Sequence, residues 1–395
     1  MGNITNSEQK SVTQVLEDIQ IRGYATQEEA YQLINVQGTQ LLELMRVASA
    51  FRDERKGNTV TYSRKVFIPL TNMCRNTCGY CTFVKDPSDP EAHIMAPSEV
   101  YSQLMRAEAM GCKEVLISLG ERPELRYPLA KEKLKKLGYD KMLDYVYDIC
   151  QLIIDKTSMI PHTNAGALKF KELKKLKDVN GSMGMMLESI NPKLNAHEGC
   201  PDKLPVVRLN TLRYAGELQI PFTTGILIGI GESLKDRVDS MFAILDEHKK
   251  HQHIQEIIIQ NFRSKKGTAM GNSPEPNIWD MVRSIAVCRL IFGKDVNIQA
   301  PPNLTPNIHQ LFLLAGINDW GGISPLTPDF INPEKPWPHI WELHRICSEL
   351  GFELRERLTV YPEYLIDSTY KREVFKSRID HLIDETRLVR REMTV

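Results

Sequence analysis

Several things are scarce in this 395-residue chain, and each absence removes a class of function. Net charge is missing: 50 Lys plus Arg residues offset 50 Asp plus Glu, so there is no basic surplus of the kind a nucleic-acid or anionic-membrane surface needs. No uninterrupted apolar run approaches the roughly 20 residues that span a bilayer. The opening Met1 to Glu8 has neither a basic n-region nor an apolar h-region, and Asn6 stands where a myristoylation signal needs Ser or Thr. Eight cysteines are too few and too dispersed for a disulfide framework and read as reduced thiols. Solenoid repeats and low-complexity linkers are also missing. The expectation is a cytoplasmic protein with a small-molecule substrate, and with neither nucleic acid nor membrane as partner.

What remains is ordinary globular composition, 42% hydrophobic and 25% charged. Short β-like runs recur at 66–70, 114–119, 159–164, 182–187, 222–228, 256–260, 296–300 and 322–324, with room for a helix between them. Helical periodicity covers 98–111, 141–156, 205–219, 233–248 and 279–292, with Ser98 and Ser233 as N-caps. About eight strand-helix units predict an α/β fold with a parallel sheet closed as a (β/α)8 TIM-type barrel, a doubly wound open sheet being the rival. Residues 1–61 read as an N-terminal helical extension, a lid or base, in which 52–57 is a charged connection to the first strand. Residues 62–335 read as the barrel. Residues 336–395 read as a C-terminal helical extension with a tail helix ending in Arg390-Arg391-Glu392.

Three of the cysteines fall in Cys74-Arg75-Asn76-Thr77-Cys78-Gly79-Tyr80-Cys81, directly after the first β-like run, and no fourth lies near in sequence. The spacing is compatible with zinc completed by a distant ligand such as His93, with a redox pair and a bystander, or with an iron-sulfur cluster that keeps one position open. In a barrel the loops at the C-terminal strand ends build the active site, and this loop leaves the first strand there. Tyr80 serves either to flank a bound ring or to pack the loop. Gly120 and Glu121, past the second strand, offer carbonyls and a carboxylate to a ligand ammonium. Glu188 ends the fourth strand and Arg208 lies on the next helix; the two either pair or divide a zwitterionic ligand. Gly225-Ile226-Leu227-Ile228-Gly229-Ile230-Gly231-Glu232 places glycines where a flat ligand can approach, without the G-x-G-x-x-G order of a dinucleotide turn. Cys112, Cys150, Cys200, Cys288 and Cys347 read mostly as small buried hydrophobes.

In this order, Cys74-x3-Cys78-x-Tyr80-Cys81, Gly120-Glu121 and Gly225-x3-Gly229-x2-Glu232 resemble the radical S-adenosylmethionine (SAM) superfamily. More closely, segments 61–70, 182–188, 197–203, 221–225, 299–304, 322–329 and 332–338 are similar to the 7,8-didemethyl-8-hydroxy-5-deazariboflavin synthase (CofG-type) family. Cys200 departs by standing where a small serine-like residue is expected, a change expected to leave the chemistry undisturbed. The resemblance implies that Cys74, Cys78 and Cys81 ligate a 4Fe-4S cluster whose fourth iron binds the amino and carboxylate groups of SAM. It assigns SAM contacts to Tyr80, Gly120, Glu121, Glu188, Arg208, Gly229 and Ile230.

The implied reaction is that of a radical SAM lyase. A one-electron reductant drives cleavage of SAM to methionine and a 5'-deoxyadenosyl radical, which abstracts hydrogen from 5-amino-5-(4-hydroxybenzyl)-6-(D-ribitylimino)-5,6-dihydrouracil. Ring closure with ammonia loss then gives the 8-hydroxy-5-deazaflavin chromophore. One cysteine triplet implies that a separate companion synthase (CofH-type) supplies that substrate. Its uracil edge, phenol and polyhydroxyl chain call for amide, imidazole and hydroxyl partners. Strand-end candidates are His162, also favoured for proton transfer, Asn164, Gln260, Asn261, Arg263, Gln299 and Asn303. The alternatives are the tyrosine-coupling companion itself or a menaquinone-pathway radical SAM enzyme, a non-catalytic zinc or iron-sulfur module, and a nucleotide-dependent oxidoreductase that would leave the cysteines unused. Cys78→Ala is expected to lose iron and sulfide retention on anaerobic reconstitution while keeping the wild-type far-UV circular dichroism; full iron loading would contradict the ligand assignment.

Overall fold

The computed structural model describes residues 10–367, 369–370 and 372–394; the opening segment read above for targeting signals lies outside them. Eight parallel strands pair in chain order: β1 Thr59–Pro69, β2 Glu114–Ser118, β3 Ile160–Asn164, β4 Ser182–Gly184, β5 Phe222–Ile228, β6 Ile254–Asn261, β7 Asn297–Gln299 and β8 Asp319–Ile323. β1 pairs with both β8 and β2, so the sheet closes on itself, and the barrel is the predicted one rather than an open sheet. β5 is buried along its whole length, as a strand packed between barrel interior and outer helices must be.

The expected helices are present as Pro97–Ala109, Met142–Lys156, Pro205–Glu217, Leu234–His251 and Ile278–Phe292. Ser233 caps its helix, accepting from the Asp236 N–H at 3.1 Å. Ser98 does not. Pro97, whose fixed φ suits a first helical position, starts that helix one residue earlier, and the Glu99 carboxylate accepts the Ala96 N–H at 2.6 Å. β1 begins seven positions before the expected 66, because Arg64 and Lys65 look like loop charges but are buried and paired, Lys65 with Glu114 at 2.7 Å and Arg64 with Glu356 at 3.8 Å.

The N-terminal helices Val12–Arg22, Gln27–Leu33 and Gly38–Lys56 form an outer layer against Leu234–His251 and Ile278–Phe292, rather than a lid. The charged stretch 52–56 is the last turn of Gly38–Lys56, not a connection. Arg52 is fully buried there, where its guanidinium donates to the carbonyls of Leu313 and Ile317.

The C-terminal extension is only partly helical. After helix Ile340–Glu349 comes a ninth strand, β9 Glu353–Glu356, parallel to the first half of β1 with Thr59 beside Glu353 and Tyr62 beside Glu356. The expected tail helix does not run to Arg390-Arg391-Glu392 but ends early, as Lys376–Leu382, followed by a turn in which the Asp384 carboxylate accepts the Thr386 N–H at 2.8 Å and Ile383 bridges Val389. The segment after β9 closes the barrel at its N-terminal end. Arg357 lies 2.6 Å from Asp319 and 3.1 Å from Glu256, Tyr361 donates to Glu256 at 2.9 Å, and Thr223 donates to the other Glu256 oxygen at 2.9 Å. The opposite, C-terminal mouth is left for chemistry. Arg357→Met should strand two buried carboxylates and cost about 3–5 kcal/mol, read as a lowered urea midpoint; an unchanged midpoint would remove this network from the account of stability.

Candidate active site at the C-terminal barrel mouth

A cavity opens at the C-terminal ends of β2 to β6, lined there by Ser118, Asn164, Leu227, Gln260 and Asn261, and by Cys74, Cys78, Tyr80 and Cys81 from the loop after β1. That loop is closed at its base by an antiparallel bridge between Thr71 and Ile94. It is stitched to the next loop in turn. The Gly120 N–H donates to the Thr71 carbonyl at 2.7 Å, the Arg75 N–H to the Glu121 carbonyl at 2.9 Å, and the Glu121 N–H to Cys74 Sγ at 3.1 Å. Gly120 has no substitute here, since a Cβ at that position would lie 1.9 Å from the Met73 carbonyl oxygen. Further along, the Gly79 N–H donates to the Ala196 carbonyl, and the Met270 N–H to the Gly79 carbonyl, both at 2.8 Å.

The three thiols sit in unequal surroundings. Burial pushes Cys74 up to about 11 and also raises Cys81. Cys78 is drawn down to about 6, first by the Cys200 thiol, whose Sγ lies 3.8 Å away, against the opposing effect of burial. Tyr80 packs the loop in a small apolar cluster with Leu194, Ala196, Leu227, Ile230 and Phe262 while still facing the cavity, and its hydroxyl pairs with His197 Nε2 at 3.1 Å.

Glu121 is buried, and burial lifts its carboxyl to about 7 against the pull of Arg208. It accepts from the Ala167 N–H at 2.7 Å and from Asn76 Nδ2 at 3.0 Å, and Arg208 stands 3.9 Å away. Gly166, at φ +73°, leaves room for that carboxylate. Glu188 adopts a left-handed φ of +69° that turns its side chain into the cavity. Burial opposes its ionisation, but Lys203 and Arg208 outweigh it and hold the carboxyl low. Its ion-pair partner is Lys203 at 2.5 Å, not Arg208. Arg208 instead donates to the carbonyls of Asp202 and Met186, acting as a brace for the loop after β4.

Of the remaining expected residues, Arg263 lines the cavity with Asn164, Gln260 and Asn261. Gly229 and Ile230 lie behind Tyr80, where their N–H groups both donate to the Glu232 carboxylate at 2.8 Å. Gly225 makes room not for a ligand but for β6, whose Ile258 carbonyl would lie 2.0 Å from a Cβ. Gly229 and Ile230 do not line the cavity, and neither do three further candidates. His162 is bonded below it to Ser182 at 2.7 Å and Thr359 at 3.2 Å, and burial lowers it to about 4. Gln299 lies against Gly321, and Asn303 donates to Asp329 at 3.0 Å. His93, the distant zinc ligand considered above, pairs with Glu99 at 3.2 Å on the surface. Among the described residues no three His, Cys, Asp or Glu side chains converge as one metal ion requires.

Sequence reasoning passed over Lys203, Asn76, Lys265 and Asp202. Lys265 and Asn76 line the cavity, and Asp202 holds Arg75 through two 2.5 Å contacts. Their one signal was position: Asn76 lies within the triplet, Asp202 and Lys203 within the 197–203 segment, and Lys265 two residues past Arg263 after the sixth strand.

Comparison with known proteins accords with this geometry. The Radical SAM superfamily profile matches residues 68–244. The chain is 48% identical over 328 residues to a 7,8-didemethyl-8-hydroxy-5-deazariboflavin synthase of Methanobrevibacter smithii, covering 82% of this chain and 96% of that one. It is 46% identical over 353 residues to an FO synthase of Nocardia farcinica, covering 86% of this chain and 41% of that longer protein. In structure it resembles the FeFe-hydrogenase maturase HydG of Carboxydothermus hydrogenoformans, with a TM-score of 0.70 at 20% identity over 93% of this chain and 82% of the other. That last likeness concerns the fold.

Gly120→Ala should force the two loops apart, costing about 1–3 kcal/mol and raising the rate at which Cys74 in the metal-free chain is alkylated, read by peptide mapping. An unchanged Cys74 rate would show that the contact does not hold the loop.

Proposed function

The chain belongs to the 7,8-didemethyl-8-hydroxy-5-deazariboflavin synthase family of the radical SAM superfamily, and we infer that its barrel-mouth cavity performs the family reaction through the residues described above. It is a radical SAM enzyme that forms the deazaflavin chromophore from a small-molecule precursor. The observation that carries the reading is the cysteine loop itself: three thiols on one loop line a cavity, without the convergence a mononuclear ion demands.

A four-iron cluster spreads its thiolates over separate irons, so this donor set fits it, with Cys74, Cys78 and Cys81 as ligands. Together with SAM, such a cluster supplies one-electron cleavage that generates a hydrogen-abstracting radical. The remaining chemistry is the chain's. Tyr80, Gly120 and Glu121 border the cluster loop, and the Glu121 and Glu188 carboxylates are suited to an ammonium group. Arg208 and Lys203 are suited to a carboxylate, which divides the two ends of an amino acid moiety between opposite charges. Ile230 supports this wall from behind through Tyr80, and Gly229 shares with it the Glu232 carboxylate.

For the benzylated dihydrouracil, Asn164, Gln260, Asn261 and Arg263 are the partners favoured. Asn261 Oδ1 and Arg263 Nε are buried without a hydrogen-bond partner. A buried unpaired acceptor and donor cost free energy until something binds them, and a uracil edge offers both complements. His162, Gln299 and Asn303 serve the barrel around the cavity instead. Proton transfer then falls to groups that face the cavity. A separate companion synthase and an external one-electron donor complete the scheme. No helix among the described residues is long and apolar enough to cross a membrane.

Anaerobically reconstituted protein given SAM, a reductant and the benzylated dihydrouracil should release fluorescent 8-hydroxy-5-deazaflavin together with 5'-deoxyadenosine and methionine. No deazaflavin there, with tyrosine consumed in a parallel reaction given tyrosine and a ribityl-aminouracil, would move the chain to the companion step, and a colourless zinc protein would end the radical reading.

A further inference from the structure

The three thiols of the cysteine loop differ in what donates to them. Cys74 Sγ accepts from the backbone N–H groups of Asn76 at 3.4 Å and Glu121 at 3.1 Å. At Cys81 the nearby backbone N–H groups of Val84 and Phe83 favour the ionised sulfur without overcoming burial. Cys78 is served by a side chain, that of Cys200, at an Sγ–Sγ distance of 3.8 Å. A backbone donor is fixed by the fold; a side-chain donor is set by the residue present.

Cys200 is held for that contact. Gly199, at φ +71°, turns the chain, the Cys200 N–H donates to the His197 carbonyl at 3.1 Å, and its carbonyl accepts the Lys203 N–H at 3.0 Å. The Thr77 N–H donates to Cys200 Sγ at 3.2 Å, so this sulfur is already an acceptor. Its own S–H is left with two targets, Cys78 Sγ and the Glu198 carbonyl at 3.5 Å. An ionised sulfur is the stronger acceptor of the two. Cys200 is 4% exposed, so water competes poorly, and it stands behind the loop rather than among the cavity-lining residues.

We propose that Cys200 is a positioning residue whose thiol donates a hydrogen bond to the Cys78 sulfur and thereby raises the reduction potential of the cluster bound there. The proposal rests on the four-iron reading above. Reduction adds negative charge to the cluster, and a hydrogen bond to a ligating sulfur stabilises the reduced form. Cys200 is thus more than a buried hydrophobe, and the departure from a serine-like residue at this position acts on the chemistry.

The test is a redox titration of reconstituted wild-type, Cys200→Ala and Cys200→Ser proteins without SAM, followed by the electron paramagnetic resonance signal of the reduced cluster. Iron and sulfide per chain are measured alongside. Cys200→Ala should load as much iron as wild type and titrate at a more negative potential. Cys200→Ser, which retains a donor, should titrate nearer to wild type. Equal potentials in wild type and Cys200→Ala would overturn the assignment, and so would loss of iron from both variants, which would make Cys200 a ligand or a folding residue. Failure of the wild-type chain to build a four-iron cluster would instead overturn the underlying reading.

Discussion

The parallel pairing of β1 with β2 is the constraint on which the site depends. Its register sets Pro69 beside Ser118, so the chain leaving each strand emerges at the same height on the same face. Two loops that would otherwise be independent are thereby forced into contact, and the absence of a side chain at Gly120 lets them touch backbone to backbone. The cysteine loop owes its shape to this neighbour. Cys74 accepts a hydrogen bond from the residue after Gly120, and Arg75 donates to that same residue's carbonyl. On the proposed reading the cysteines must be fixed before a metal arrives, and a barrel ladder would fix them.

The same face collects charge in a pattern that matches a zwitterion. Two carboxylates and two cations, the buried Glu121, Glu188 and Arg208 and the half-buried Lys203, line one cavity. Burial alone would keep acids neutral, and it does lift Glu121. Glu188 stays ionised because Lys203 lies against it. Neighbouring acids are thus shifted in opposite directions by their surroundings. The opposite end of the barrel is sealed by Arg357 and its carboxylates, which keeps the polar groups at the mouth from facing a through-channel.

Much of this was legible in the chain. β5 was read with its observed bounds because Phe222–Ile228 is rich in apolar and β-branched residues and ends at glycine, while the spacing of the cysteine triplet left zinc, a redox pair and a cluster open until the family resemblance chose among them. What escaped followed physical rules that a single sequence does not display. Charged residues in β1 looked like loop because their partners, Glu114 and Glu356, lie far along the chain. β9 was missed because a four-residue strand rich in Glu and Arg carries no apolar alternation. His162 was favoured for proton transfer by residue type and strand-end position, yet its ring turns toward Ser182 and Thr359, below the cavity. Lys203 was overlooked because Glu188 was set against Arg208 of the next helix, either as its pair or as its counterpart on a zwitterionic ligand, whereas the left-handed turn at Glu188 directs it to Lys203.

The central claim is that three cysteines hold a cluster with one iron left for a small molecule. Diffraction from anaerobic crystals of the reconstituted protein, recorded at the iron absorption edge, tests it most directly. Four irons bridged by sulfide should be found, with Cys74, Cys78 and Cys81 each on one iron, no protein atom on the fourth, and Cys200 sulfur in contact with Cys78 but not with metal. A single metal ion, or a fourth protein ligand on the cluster, would contradict it.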